Sequence, residues 1–185
     1  MTHPDPRLRQ RTIALVGLMG VGKSSVGRRL AAYLDLPFRD ADNEVEAAAG
    51  RSIAEIFEAF GEADFRDGER RVIARLLEEG PMVLATGGGA FMNDETRRLI
   101  RDKAISVWLK ADLDILARRV ARKETRPLLR GKDPLDVLTD LAAIRYPVYA
   151  QADLTVQLGE TPHHESVAAV VAALQAWLDG QGAAA

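Results

Sequence analysis

The feature that most constrains this chain is an eight-residue stretch, Gly17-Leu18-Met19-Gly20-Val21-Gly22-Lys23-Ser24. It fits G-x-x-x-x-G-K-[ST] at every fixed position. Residues 12–16, just before it, form a β-branched and apolar run that predicts a buried strand. Residues 23–34, just after it, place Val26, Leu30 and Leu34 at helical spacing. The pattern needs this strand–loop–helix context. Gly17, Gly20 and Gly22 let the backbone turn its N–H groups inward around a triphosphate. The helix beginning near Lys23 aims the positive end of its dipole at the same point. Lys23 is expected to reach the β- and γ-phosphates, with Ser25 beside the nucleotide and the Ser24 hydroxyl directly on Mg²⁺.

The order of the remaining elements sets the fold class. A short extended segment is predicted over 37–40, then a helix over 42–49 that stops at Gly50. Ser52 with Glu55 has capping-box spacing and opens a helix through Phe60, and a charged helix follows over 64–79. Residues 82–85 and 105–109 read as strands, with a helix over 94–101 between them. Asp112 is expected to cap a helix running to about Arg122. A loop over 128–133 precedes Pro134, which suits the first position of a helix to Tyr149. A last strand is predicted over 153–156 and a closing helix over 162–178, leaving 180–185 as a frayed tail. Strands alternating with helices imply an α/β fold, a mostly parallel sheet covered on both faces. At 185 residues the chain fits one domain, with an ordered core over about 12–179.

Two further segments carry chemistry. Asp40-Ala41-Asp42 follows the second strand, and alternation on an extended segment puts both carboxylates on one side. Such strand ends face the crevice beside the phosphate loop. One carboxylate is placed to organise the water shell of Mg²⁺ and the other to take a proton from an attacking hydroxyl. Alternatively, Asp42 is the N-cap of the helix after it. Thr86-Gly87-Gly88-Gly89 ends the third strand. No ordinary turn needs three glycines; they permit close approach of a ligand to the backbone. Thr86, after the apolar run, is a candidate to hold a water on Mg²⁺.

Several classes are excluded or disfavoured. No guanine-reading Asn-Lys-x-Asp is present, and the single Asp-x-x-Gly, Asp179 to Gly182, lies in the tail, so a switch GTPase is a poor reading. The net charge of −2 gives no basic field for nucleic acid. No segment is apolar enough to span a bilayer. Residues 1–11 carry arginines without an apolar stretch after them, unlike a secretory signal. Cysteine is absent, which suits the cytoplasm. His163 and His164 are adjacent and would face different ways on a helix, so they make poor metal partners. Trp108 and Trp177 read as core, and Tyr146 and Tyr149 as helix packing.

The ordered set of Gly17–Ser24, Asp40–Asp42, Gly61-x-x-x-Phe65-Arg66, Thr86–Ala90, Arg126-Pro-Leu-Leu129 and Arg145-x-Pro-x-Tyr149 resembles the shikimate kinase family. The resemblance runs from about Ile13 to Val156. It implies a P-loop, nucleoside-monophosphate-kinase-like fold with five parallel strands in the order 2-3-1-4-5. It also implies transfer of the γ-phosphate of ATP to the 3-hydroxyl of shikimate, with Mg²⁺, by a cytoplasmic monomer. Roles follow residue by residue. Lys23 and Ser24 serve phosphates and metal, and Asp40 stands near the Mg²⁺ waters. Asp42 binds the shikimate hydroxyls and is the candidate base. Arg66 and Arg145 grip the substrate carboxylate, Gly88 offers a backbone contact, and Glu69 orders the binding arginine. Arg126 is the lid arginine over the phosphates, and Arg119 packs on adenine; residues 128–134, with a glycine and flanking polar residues, are the candidate lid. Arg118 adjoins Arg119 and is the alternative for that last role. Each arginine also has a plainer reading as a solvated or surface-paired side chain. Arg66, the triple glycine and Arg-Pro-Leu-Leu argue against a gluconate kinase. The complete set argues against an idle ATP-binding regulatory module.

Overall fold

The computed structural model describes residues 4–122 and 132–182. A 3-10 helix, Pro6–Gln10, buries Leu8 completely and leads into β1 (Thr12–Val16). Then follow α1 (Lys23–Leu34), β2 (Phe38–Asp40), α2 (Ala41–Ala49), α3 (Ile53–Glu78) and β3 (Val83–Ala85). A 3-10 turn, Ala90–Met92, precedes α4 (Asp94–Lys103), β4 (Ala104–Lys110), α5 (Leu113–Ala121), α6 (Pro134–Tyr149), β5 (Leu154–Gln157) and α7 (His163–Gly182).

All five strands are parallel, in the order β2-β3-β1-β4-β5. Every residue of β1 and β3 is buried. Successive residues of a strand point to opposite faces, so unbroken burial means helices cover both faces of the sheet centre. Ile13, Leu15, Val83, Leu84, Ile105 and Val107 form the floor of the core. Helix α1 turns Val26, Leu30 and Leu34 onto it. Gly27 lets α1 come close, because a Cβ there would stand 2.8 Å from the Phe38 ring and 3.0 Å from Leu15.

The topology creates the crevice. The chain leaves β1 for β2 on one side and leaves β3 for β4 on the other, crossing β1. A cleft opens where such connections diverge. Because Ile13 pairs with Val83 and Leu15 with Ala85, β1 and β3 end level with one another. Their carboxyl ends release the phosphate loop and the glycine triplet side by side. Thr86 ties the two together: its N–H (3.1 Å) and its hydroxyl (2.9 Å) both donate to Leu15 O.

Several local expectations are revised. Helix α2 begins at Ala41 rather than Asp42, because Asp40 is its N-cap and accepts from Asp42 N at 3.1 Å. Asp42 therefore sits in the first helical turn, and the extended alternation proposed for the pair stops at Asp40. The helices expected over 52–60 and 64–79 run on as α3, broken in direction at Gly61 (φ 83°, ψ 177°) and started by the Ser52–Glu55 capping box. Asp112 occupies the N-cap position of α5 but makes no side-chain cap bond; it accepts from Gln157 Nε2 at 3.3 Å. Residues 180–182, expected to fray, continue α7. No described helix is long and apolar enough to cross a membrane.

Candidate active site

The loop between β1 and α1 holds Gly17, Gly20 and Gly22 at φ 143°, 83° and 99°. Two of them are also fixed by space. A Cβ on Gly17 would meet Leu109 O at 2.4 Å, and one on Gly20 would meet Val120 Cγ1 at 2.7 Å. Lys23 Nζ lies over the loop and donates to Gly17 O (2.8 Å) and Leu18 O (3.1 Å). Ser24 Oγ donates to Asp40 Oδ2 at 2.5 Å. The first turn of α1 is thereby joined to the start of α2, and two side-chain oxygens stand at one point. Magnesium is bound through a few hard oxygens, with nucleotide phosphates and waters completing an octahedron. Ser24 and Asp40 fit that donor set. No cluster of three or more His, Asp or Glu that would hold a metal alone occurs among the described residues.

A cavity of about 710 Å³ extends from this point, lined by Gly20, Gly22, Lys23, Ser24, Ser25, Asp40, Asp42, Thr86, Gly88 and Arg119. The predicted nucleotide and metal residues thus converge, with Gly17 supplying the carbonyl under Lys23. The Thr86 hydroxyl hydrogen is already engaged with Leu15 O, and the side chain is buried. Arg119 reaches Gly159 O at 3.1 Å, while Arg118 pairs with Glu160 at 2.8 Å on the rim. The far wall comes from Leu158, Glu160, Thr161, Pro162, His163 and Ser166, between β5 and α7. Sequence reading assigned none of these; their signal was position alone, just past the carboxyl end of a strand. Arg126 and residues 128–131 of the expected lid lie outside the described residues.

The glycine triplet stands beside this cavity, which Gly88 and Asp42 help to line. None of its members has a positive φ, so space explains them better than backbone freedom. A Cβ on Gly87 would meet Glu69 Oε1 at 2.3 Å and Asp42 Oδ1 at 2.9 Å. One on Gly88 would meet Arg145 Nη1 at 3.1 Å, and one on Gly89 would meet Arg66 Nη2 at 2.5 Å. Each missing side chain makes room for charged groups, so two carboxylates and two guanidinium groups stand along three residues of backbone.

The charges are partly compensated. Arg66 Nη1 donates to Glu69 Oε2 at 2.8 Å, and Arg66 also meets Glu62 at 3.3 Å. The Glu69 side chain is only 3% exposed, and its Oε1 is buried without a hydrogen-bond partner. Burial raises the Glu69 pKa above the usual carboxylate range against the pull of Arg66, and the nearby Asp42 raises it further. Burial works against the charge on Arg66, but Glu69 and Glu62 outweigh it and the guanidinium pKa rises. Arg145 Nη1 donates to Gly88 O at 2.9 Å. Tyr149 OH donates to the same carbonyl.

A phosphate loop at the end of β1, the 2-3-1-4-5 parallel sheet and a cluster of charged side chains alongside define the class: a P-loop kinase. The family model described as shikimate kinase matches residues 19–175. A shikimate kinase of Caulobacter vibrioides is 71% identical over 168 residues, covering 91% of this chain and 84% of the relative. One from Bradyrhizobium diazoefficiens is 59% identical over 174 residues, covering 94% of this chain and 84% of the relative. Among solved structures, shikimate kinase from Acinetobacter baumannii in complex with shikimate superposes with a TM-score of 0.87. It is 35% identical, and the match covers 96% of this chain and 98% of that one. The chain belongs to the shikimate kinase family.

Proposed function

We propose that this chain transfers the γ-phosphate of ATP to the 3-hydroxyl of shikimate, giving ADP and shikimate 3-phosphate. The observation that carries the reading is the glycine triplet: it seats Arg66 and Arg145 beside one backbone floor, next to Asp42 and the phosphate loop. Shikimate is an anion carrying hydroxyls, and the chain has a net charge of −2, so recognition falls to local groups. A guanidinium offers a planar fork of donors to a carboxylate. Arg66 and Arg145 would hold the carboxylate, Gly88 would supply a backbone contact, and Glu69 would keep Arg66 aimed.

Phosphoryl transfer depends on in-line placement and neutralised charge more than on covalent help. Lys23 would leave the loop carbonyls for the β- and γ-phosphate oxygens. Ser24 directly, and Asp40 through water, would hold Mg²⁺, which when bound neutralises charge between these phosphates. Asp42 would orient the 3-hydroxyl and accept its proton as the new P–O bond forms and the bond to the β-phosphate oxygen breaks. Arg126, in the lid, would add positive charge and exclude water. Arg119 would pack on adenine. The reading has a single domain acting as a monomer in the cytoplasm, with neither nucleic acid nor membrane as partner.

ADP formation coupled to a spectrophotometric assay should require both shikimate and Mg²⁺. Turnover of gluconate with none of shikimate would overturn the substrate assignment. ATP binding with no turnover of either would favour a regulatory module instead.

A further inference from the structure

We propose that Tyr149 is a positioning residue for the anion-binding end of the site, its hydroxyl fixing the Gly88 carbonyl and the Arg145 guanidinium in one arrangement; this rests on the substrate reading above. Tyr149 is fully buried, which for a phenol demands a hydrogen-bond partner. The partner it takes is Gly88 O, the central carbonyl of the triplet. Arg145, one turn earlier on α6, donates to that same oxygen at 2.9 Å. One carbonyl thus receives two donors from one helix face, because residues four apart on a helix lie above one another. Arg145 and the Tyr149 hydroxyl meet at this one oxygen, and the phenol remains protonated because burial raises its pKa. Nη1 of Arg145 is used there, and its Nε and Nη2 donors lie outside that contact.

The ring itself is clamped from behind. Trp108 on β4 stands 5.9 Å from Tyr149, centroid to centroid, and Phe91 stands 6.5 Å away. Both are buried, so the hydroxyl is delivered by a part of the core that has little freedom to shift. Simple core filling would be served equally by phenylalanine. A buried hydroxyl aimed at the backbone of the site indicates a second purpose. Without it, Gly88 O keeps one donor and Arg145 loses a neighbour that defines its rotamer.

The test is Tyr149→Phe, which keeps the ring and removes only the hydroxyl. A lost hydrogen bond of ordinary strength predicts a rise of about 3- to 10-fold in KM for shikimate. KM for ATP should stay within twofold and kcat should fall less than KM rises. The control Tyr146→Phe, which removes the hydroxyl of another α6 tyrosine packed on Trp108, should leave KM for shikimate unchanged. Arg145→Lys should raise KM alone, and by a smaller factor when Tyr149 is already Phe, since the lysine then loses no shared geometry. An unchanged KM for Tyr149→Phe, with only a lower Tm, would reduce the residue to packing. So would an equal KM rise in Tyr146→Phe, and so would fully multiplicative effects in the double variant. If Arg145→Lys itself leaves KM unchanged, the carboxylate reading fails and this proposal with it; if Arg145→Lys acts and Tyr149→Phe does not, only the proposal fails.

Discussion

Replacing Gly89 with alanine should damage substrate binding while sparing the fold. The backbone at Gly89 has φ −99° and ψ −11°, which alanine adopts freely. The difficulty is space alone. The new Cβ would stand 2.5, 2.6 and 2.7 Å from Nη2, Cζ and Nη1 of Arg66. Ordinary contact begins at 3.4 Å, so the guanidinium must withdraw by about 0.9 Å. Arg66 is the far end of a long side chain and can do so. Its partner Glu69 is buried and cannot follow, so their 2.8 Å bond lengthens. A charge-assisted hydrogen bond contributes about 1.5–3 kcal/mol, and a displaced guanidinium keeps part of it. KM for shikimate should rise about 10- to 30-fold, the equivalent of roughly 1.5–2 kcal/mol. KM for ATP should hold within twofold. Thermal stability should change little, because alanine restricts the unfolded chain by about 0.4–1 kcal/mol and offsets the weakened ion pair. Gly87→Ala makes the contrast: its Cβ would press on the immobile Glu69 carboxylate at 2.3 Å. Overpacking of about 1–3 kcal/mol should lower its Tm by about 3–10 °C. The assay is steady-state ADP formation against each substrate, paired with thermal unfolding. A shikimate KM within twofold of the parent for Gly89→Ala, or an equal rise for ATP, would refute the reasoning.

Arg66→Ala should destabilise in a pH-dependent way. It leaves the buried Glu69 carboxylate without its partner, at a cost of about 2–3 kcal/mol at pH 8, discounted because Arg66 is partly exposed. Glu69 already has a pKa above its ordinary 4.5, so folding favours the protonated form. Its penalty is therefore absent below that value and grows as pH rises through the folded pKa. Urea unfolding should show a smaller deficit at pH 5 than at pH 8, and an equal deficit at both would be the contrary result. Asp42→Asn should lower kcat about 10²-fold, the low end for general-base assistance given a loose transition state, with little change in ATP affinity. A kcat near that of the parent would leave Asp42 a residue of the first turn of α2 with no part in proton transfer.

The sequence by itself determined the strand–loop–helix unit at Gly17–Ser24, because its spacing is set by local backbone geometry and dipole direction. It also determined the alternation that makes the sheet parallel, and the Ser52–Glu55 capping box, since each depends on residues within one turn or one strand. Where two local signals competed, sequence was ambiguous. Asp42 read either as a chemical carboxylate or as the N-cap, and only the bond from Asp42 N to Asp40 Oδ1, with Ser24 held on Oδ2, gave the cap to Asp40. Likewise the break at Gly61 was legible, but its nature as a kink within α3 was not. What tertiary structure alone decided is the meaning of the three glycines. Their neighbours Asp42, Glu69, Arg66 and Arg145 come from α2, α3 and α6, up to 57 residues away in the chain. Those distances are closed by the crossing of β3 to β4 and the packing of helices around the sheet, not by any local preference. The same holds for Tyr149, which on a helix wheel is one more core residue. Its hydroxyl acquires a purpose only because the fold sets the carbonyl of Gly88 within its reach.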